Sequence, residues 1–151
     1  MEPNGTSEPT YNWRFEHGVD EKRRVQIPAN WRPSEGSLEF TLVLWSKDRE
    51  GPCVRVLPPK EVEKLHQDIG KLPPDKRGMM KRVIGSGSFK VQVDKSGRII
   101  LPEEMAQKAG ITDKAVLVGL LDRFEIWSAE RYQKKQDADE VAVREAMDMM
   151  E

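Results

Sequence analysis

Phe89, Val91 and Val93 alternate with Lys90 and Gln92, the two-residue period of a strand half-buried on one face. Asp94-Lys95-Ser96-Gly97 ends that alternation. An acceptor side chain at the first turn position and glycine at the last, where positive φ is common in a hairpin bulge, predict a tight turn. Arg98 to Leu101 forms the return strand. Pro102 suits the first position of a helix, Glu103 and Glu104 fall in its first turn, and Gly110 stops it. Met105 and Ala109, four residues apart, supply its buried edge. The apolar runs Val116-Leu117-Val118 and Phe124-Glu125-Ile126-Trp127 predict two further strands.

The same pattern occurs earlier in the chain. Residues Phe15 to Pro28 align without gaps on Phe89 to Pro102 at an offset of 74, with Phe, Val, Asp, Arg and Pro recurring identically. The offset continues from Leu42-Val43-Leu44 to Val116-Leu117-Val118, after which four extra residues in the loop Ser46 to Pro52 reduce it to 70. Val54-Arg55-Val56-Leu57 then matches Phe124-Glu125-Ile126-Trp127. Each copy reads as strand, turn, strand, short helix and two strands, an α+β arrangement.

Between the copies, Pro58-Pro59 opens a helix with apolar positions Val62, Leu65 and Ile69, and Leu72-Pro73-Pro74 interrupts it. A basic segment from Asp75 to Ile84 leads into a predicted turn at Gly85-Ser86-Gly87. Ser128 is placed to cap a C-terminal helix whose methionines, Met147, Met149 and Met150, suggest a packing edge. The resulting divisions are a polar, disordered extension over residues 1–10, the first copy over 14–61, a helical linker over 62–87, the second copy over 88–131 and an acidic helical tail over 132–151.

With 151 residues, 37% hydrophobic and 34% charged, two such thin units need each other or a second subunit to bury enough surface. No run of 18 apolar residues suits a membrane span, and the first twenty residues lack a secretion signal, which predicts a cytoplasmic protein. One cysteine, Cys53, and two histidines exclude an intrachain disulfide and a four-ligand zinc site, so no metal or other cofactor is expected. No nucleophile with a neighbouring base is evident, and Gly85-Ser86-Gly87-Ser88 lacks the ending of a phosphate loop, so the chain is not read as an enzyme. The net charge of −1 hides a segregation: Lys71 to Lys108 carries +5, whereas Asp137 to Glu151 carries −5.

Two copies of Asp-x-x-x-Arg-hydrophobic-x-hydrophobic-Pro joined by a helical linker resemble the MraZ family, whose repeats belong to the SpoVT/AbrB class. The second copy is particularly similar, with Asp94-Lys95-Ser96-Gly97-Arg98, Ala109-Gly110-Ile111, Val116-Leu117-Val118-Gly119 and Arg123-Phe124-Glu125-Ile126-Trp127 in the family's order. The resemblance covers roughly residues 11 to 133. It implies a duplicated swapped-hairpin β-barrel with a helical linker and a C-terminal helix. It also implies a nucleoid-associated transcription regulator that assembles into homo-oligomeric rings and binds repeated boxes in double-stranded promoter DNA upstream of a division and cell-wall gene cluster.

On that reading Arg24 contacts DNA, with Arg98 its counterpart, and Lys22, Arg23 and Lys95 add charge at the two turns. Arginine offers a bidentate fork to guanine, and lysine a point charge to phosphate. Asp20, Asp94 and Gly97 shape the turns, and the competing reading of Asp20 and Arg24 is an ion pair across the hairpin. Arg23 stands where the family turn usually has glycine, at a cost of about 1 kcal/mol if φ is positive. His17 and His66 read as structural, and Trp13, Trp31, Trp45 and Trp127 as core and subunit contacts. The competing function is an antitoxin-like protein-interaction module of the same fold.

Overall fold

The structure, a computed structural model, describes residues 9–32 and 38–150, so the predicted disorder over residues 1–10 falls mostly outside the described residues. The chain forms β1 (Arg14–Gly18), β2 (Arg24–Gln26), a 3-10 turn (Ala29–Trp31), β3 (Glu39–Trp45) and β4 (Cys53–Leu57). Helices α1 (Pro59–Gly70) and α2 (Pro74–Ser86) lead to β5 (Ser88–Gln92) and β6 (Arg98–Ile100). There follow α3 (Glu103–Ala109), β7 (Lys114–Gly119), β8 (Phe124–Trp127) and α4 (Ala129–Met150). This is a mixed α+β fold. Its six-stranded antiparallel sheet has the order β1-β7-β8-β4-β3-β5, and β2 and β6 form a separate antiparallel ribbon.

The pairing joins the two halves of the chain at every level. β1 lies against β7, β5 against β3 and β4 against β8. In the ribbon Val25 faces Ile99, and in the sheet Arg55 faces Glu125. Both are matching positions of the sequence repetition, the first in the opening hairpins and the second beyond the lengthened loop, so equivalent residues meet across these pairs.

The third strands differ from the gap-free alignment by one residue. Leu42 lies opposite Val56 and Leu117 opposite Ile126, so the structural counterpart of Leu42 is Leu117 rather than Val116. A one-residue slip would turn each side chain to the other face, and both leucines are fully buried. The added residue lies in the second half, where α3 is a two-turn helix ended by Gly110 in the left-handed region. Among the described residues the first half has the 3-10 turn Ala29–Trp31 there.

β3 is buried on both faces. Leu42 points into the main core with Phe40, and Val43 into a second cluster with Leu57, Ile69 and Ile84 from β4, α1 and α2. The main core centres on aromatic rings: Trp31 and Phe124 at 4.8 Å, Tyr11 and Phe124 at 5.5 Å, and Phe40 edge-on to Phe124 at 5.4 Å. Trp31 Nε1 donates to the Asn12 carbonyl at 3.1 Å, which satisfies the one polar atom of a wholly buried ring. Tyr11 joins this core although no local pattern in the sequence marks it as buried. It is held there by reciprocal backbone bonds with Leu121 at 2.9 and 2.7 Å.

Three further expectations are corrected. Gly85 and Ser86 lie inside α2, so the predicted turn begins only at Gly87, whose backbone N–H caps the helix. Phe89 is exposed although its strand period holds: Phe15 meets the large ring of Trp31 at 5.2 Å, and the position matching Trp31 in the second half holds the smaller Met105. The methionine-rich end of α4 has no packing partner among the described residues: Met147, Met149 and Met150 are 60%, 87% and 85% exposed.

The beginning of α4 is firmly attached. Ser128 Oγ accepts the Arg131 N–H at 3.1 Å, the predicted cap. Arg131 donates to the carbonyls of Pro52 at 3.1 Å and Lys108 at 2.9 Å, and Lys135 pairs with Asp48 at 2.7 Å. The loop that lengthens the first copy therefore holds α4. Glu61, buried on α1, pairs with Lys64 at 3.0 Å and Arg123 at 3.5 Å and ties α1 to the start of β8.

Trp31→Ala should cost about 3–5 kcal/mol of folding free energy, since it empties the centre of the aromatic core. Chemical denaturation measures the loss. Cys53 reports it independently: the thiol is buried and burial pushes its pKa upward, so labelling should begin at lower denaturant in the variant.

Candidate nucleic-acid interface

The ribbon carries one basic turn at each end. Arg24 lies opposite Ile100 and Gln26 opposite Arg98, so the turn preceding β2 and the turn preceding β6 face away from each other along the strands. With a rise of about 3.4 Å per residue and about 5 Å between strands, the α-carbons of Arg24 and Arg98 are ~8–9 Å apart.

Each turn is built around one carboxylate. Asp20 accepts the backbone N–H groups of Lys22 and Arg24, both at 2.9 Å, and Arg24 Nε at 2.6 Å. Asp94 accepts the N–H groups of Ser96 at 2.8 Å and Arg98 at 2.9 Å, and Arg98 Nε at 3.3 Å. The backbone N–H groups of Arg24 and Arg98 are the chief reason that the two carboxyls sit below the ordinary value of 3.8, with the arginine side chains adding to the effect. The ion pair between Asp20 and Arg24 is thus present, and it engages only the inner guanidinium nitrogen.

The last turn positions differ. Arg23 adopts φ 61° and Gly97 φ 83°, so Arg23 does occupy the conformation that glycine favours. Its strain, about 1 kcal/mol, is offset by contacts with the second half. Arg23 Nε donates to the Leu101 carbonyl at 3.0 Å, its own carbonyl accepts the Leu101 N–H at 2.9 Å, and Glu103 lies 4.0 Å from its guanidinium. At Gly97 the carbonyl likewise accepts the Ile27 N–H at 2.8 Å. A Cβ at Gly97 would overlap the Arg32 guanidinium and the Gln26 amide, so glycine here also leaves room for two side chains of the first half.

The structure brings Lys22, Arg23 and Arg24 together at one end of the ribbon and Lys95 and Arg98 at the other, with Lys22 and Lys95 exposed and the three arginines half-buried. Sequence reasoning missed Arg32 and Gln26, which reach the second turn only because β2 pairs with β6. His17, on β1, has its Nε2 atom buried without a hydrogen-bond partner and stacks on Phe15 at 6.3 Å. Trp45 lies under the Arg55 guanidinium at 3.9 Å, and Trp13 is exposed.

A short antiparallel ribbon with a carboxylate-clasped basic turn at each end, mounted on an antiparallel sheet with four helices, defines a class of α+β protein that displays its cations on paired β-turns. Comparison with known proteins supplies the family. Residues 84–149 match the family described as "MraZ protein, putative antitoxin-like". Proteins named Transcriptional regulator MraZ are similar across both halves. That of Rickettsia canadensis (strain McKiel) is 32% identical over 123 residues, covering 80% of this chain and 83% of its own length. That of Leuconostoc citreum (strain KM20) is 34% identical over 121 residues, covering 79% of this chain and 81% of its own length. The chain belongs to the MraZ family.

Because the folded carboxyls of Asp20 and Asp94 are lowered, their contribution to stability is full above 3.8 and is lost as pH falls through the depressed folded values. The double variant Asp20→Asn, Asp94→Asn should therefore be less stable than the parent at neutral pH, and the gap should close on acidification below that point. Denaturant midpoints measured along a pH series check this. A gap that stays constant into strong acid would show that the carboxylate charge contributes nothing to the turns.

Proposed function

We propose that this chain is a sequence-specific DNA-binding transcriptional regulator that acts as a homo-oligomer, ring-like in form, on repeated promoter boxes, including those of a division and cell-wall gene cluster. The observation that carries the reading is the β2–β6 ribbon with basic turns at both ends. A two-stranded ribbon fits the major groove, which is about 12 Å wide. Lys22, Arg23, Arg24, Lys95 and Arg98 then supply phosphate and base contacts. The names of the relatives, Transcriptional regulator MraZ, support the same function.

The chain is read as two copies of one unit that exchange their first strands in a duplicated swapped-hairpin barrel. Pairing of β1 with β7 and of β5 with β3 supports this, as does the facing of matching positions Val25 and Ile99. The copies, linker and tail keep the divisions 14–61, 88–131, 62–87 and 132–151. Exposed Trp13, Leu121, Met79, Val83 and Phe89 support assembly, since large apolar groups in such number favour burial between subunits. Such a regulator works at the nucleoid in the cytoplasm. Among the described residues no helix is long and apolar enough to cross a membrane.

The second reading, a protein-interaction module, is favoured by the exposed apolar residues Val143, Met147 and Met150 on α4. A footprint on DNA upstream of the protein's own gene separates the two. The regulator protects discrete repeated boxes, whereas an interaction module shows no sequence preference.

Affinity should rise from duplexes with one box to those with two and three, because a second turn in the same assembly binds at high effective concentration. It should also fall steeply with salt, by about 0.9 in the slope of log affinity against log salt for each phosphate neutralised. Titration of the three duplexes at several salt concentrations measures both. Equal affinity for one and three boxes would remove the multimeric model.

A further inference from the structure

We propose that the second turn, Asp94 to Gly97, is the stronger of the two phosphate-contacting ends of the ribbon, because Arg32 and Gln26 of the first half complete it. The proposal rests on the DNA-binding reading above and assigns the work within it. At this turn the Gln26 amide donates to the carbonyls of Ser96 at 3.0 Å and Gly97 at 3.2 Å. The Arg32 guanidinium occupies the space that a Cβ at Gly97 would fill. Arg32 Nε is buried and has no hydrogen-bond partner. A guanidinium already stripped of water at one nitrogen, with its other end against an exposed turn, gains more from an arriving anion than a fully hydrated one does.

The two ends also differ in charge. Around the first turn Lys22, Arg23 and Arg24 meet the carboxylates of Asp20, Glu21 and Glu103, so the cations are balanced. Arg24 is held at 2.6 Å by Asp20, and Arg23 is turned back to the Leu101 carbonyl. Around the second turn, among the described residues, Lys95, Arg98 and Arg32 stand with one turn carboxylate, Asp94, whose pair with Arg98 is longer at 3.3 Å. The differences fall at matching positions of the repetition. Lys95 corresponds to Glu21, Arg32 to Ala106, Gln26 to Ile100, and Glu103 to Ala29. Among the described residues the second turn thus carries two positive charges more than its carboxylate balances, at the end of the ribbon where they would meet a duplex phosphate.

The test is an anisotropy titration of a labelled duplex from upstream of the protein's own gene, at several salt concentrations, with the full-length protein. Arg32→Ala and Lys95→Ala should each weaken binding about tenfold and lower the salt slope by about 0.9. Lys22→Ala should weaken it less than about threefold. Lys95 is exposed, so its variant keeps the test decisive if Arg32→Ala proves unstable. Specific binding by the parent that survives Arg32→Ala and Lys95→Ala but is lost in Arg24→Ala would overturn the assignment and leave the DNA reading standing. A parent protein with no preference for any duplex would overturn both.

Discussion

The pairing of β2 with β6 sets the geometry of everything that the two turns do. Each strand is a short three-residue segment, too brief to persist alone, and each is paired solely with its counterpart from the other half. β1 and β5 are placed in the same way, on β7 and β3. A half-chain has its third and fourth strands together but leaves its first two without partners. The turns at Asp20 and Asp94 are consequently fixed relative to each other only when the whole chain has folded. The facing Val25 and Ile99, both fully buried, anchor that relation at its centre.

Departures from exact repetition give the two halves of the chain different tasks. The first half contributes Trp31 and Phe40 to the aromatic core, and Phe15 packs edge-on against Trp31. The second half has Met105 at the position of Trp31, leaving Phe89 exposed, and carries the helix α3 with its left-handed glycine cap. That cap also serves α4: Gly110 and Gly51, both with positive φ, leave room for the Arg131 guanidinium, which binds the carbonyls on either side. At Arg55 and Glu125, matching positions have become opposite charges, and they pair at 2.9 Å where the two halves meet. A symmetric pair of like charges there would repel; the divergence turns the junction into an attraction.

Most elements were legible in the sequence because their signals are local. Alternation marked the strands, Asp-x-x-Gly the second turn, prolines the helix starts, and Ser128 the cap of α4. Glycine's absence at Arg23 correctly announced a strained position. What escaped depends on pairing between distant segments. The one-residue shift of β7 arises between Pro102 and Leu117, and a gap-free alignment cannot register it. Burial of Tyr11 and Glu61 depends on Leu121 and Arg123, each in the opposite half of the chain. The contact of Arg32 with Gly97 likewise exists only once β2 lies against β6. Gly85 and Ser86 misled because a helix tolerates both near its end, where α2 is closed by the Gly87 N–H.

The near-neutral charge of the chain does not weigh against a polyanionic partner. Charges separated by more than a Debye length, about 10 Å at 0.1 M salt, scarcely feel each other through solvent. The acidic residues of α4 are moreover partly answered within that helix, where Glu130 pairs with Lys134, Asp139 with Lys135 and Glu140 with Arg144. What an approaching polyanion would meet is the balance within one turn. There the first position matters most: a carboxylate that accepts two backbone N–H groups has a structural duty to the turn, and it neutralises one arginine as a consequence. Cations beyond that one are the surplus left for an anionic partner. A turn closed by glycine can take its surplus from a neighbouring strand, as Gly97 does from Arg32, whereas a turn closed by Arg23 has filled that space itself.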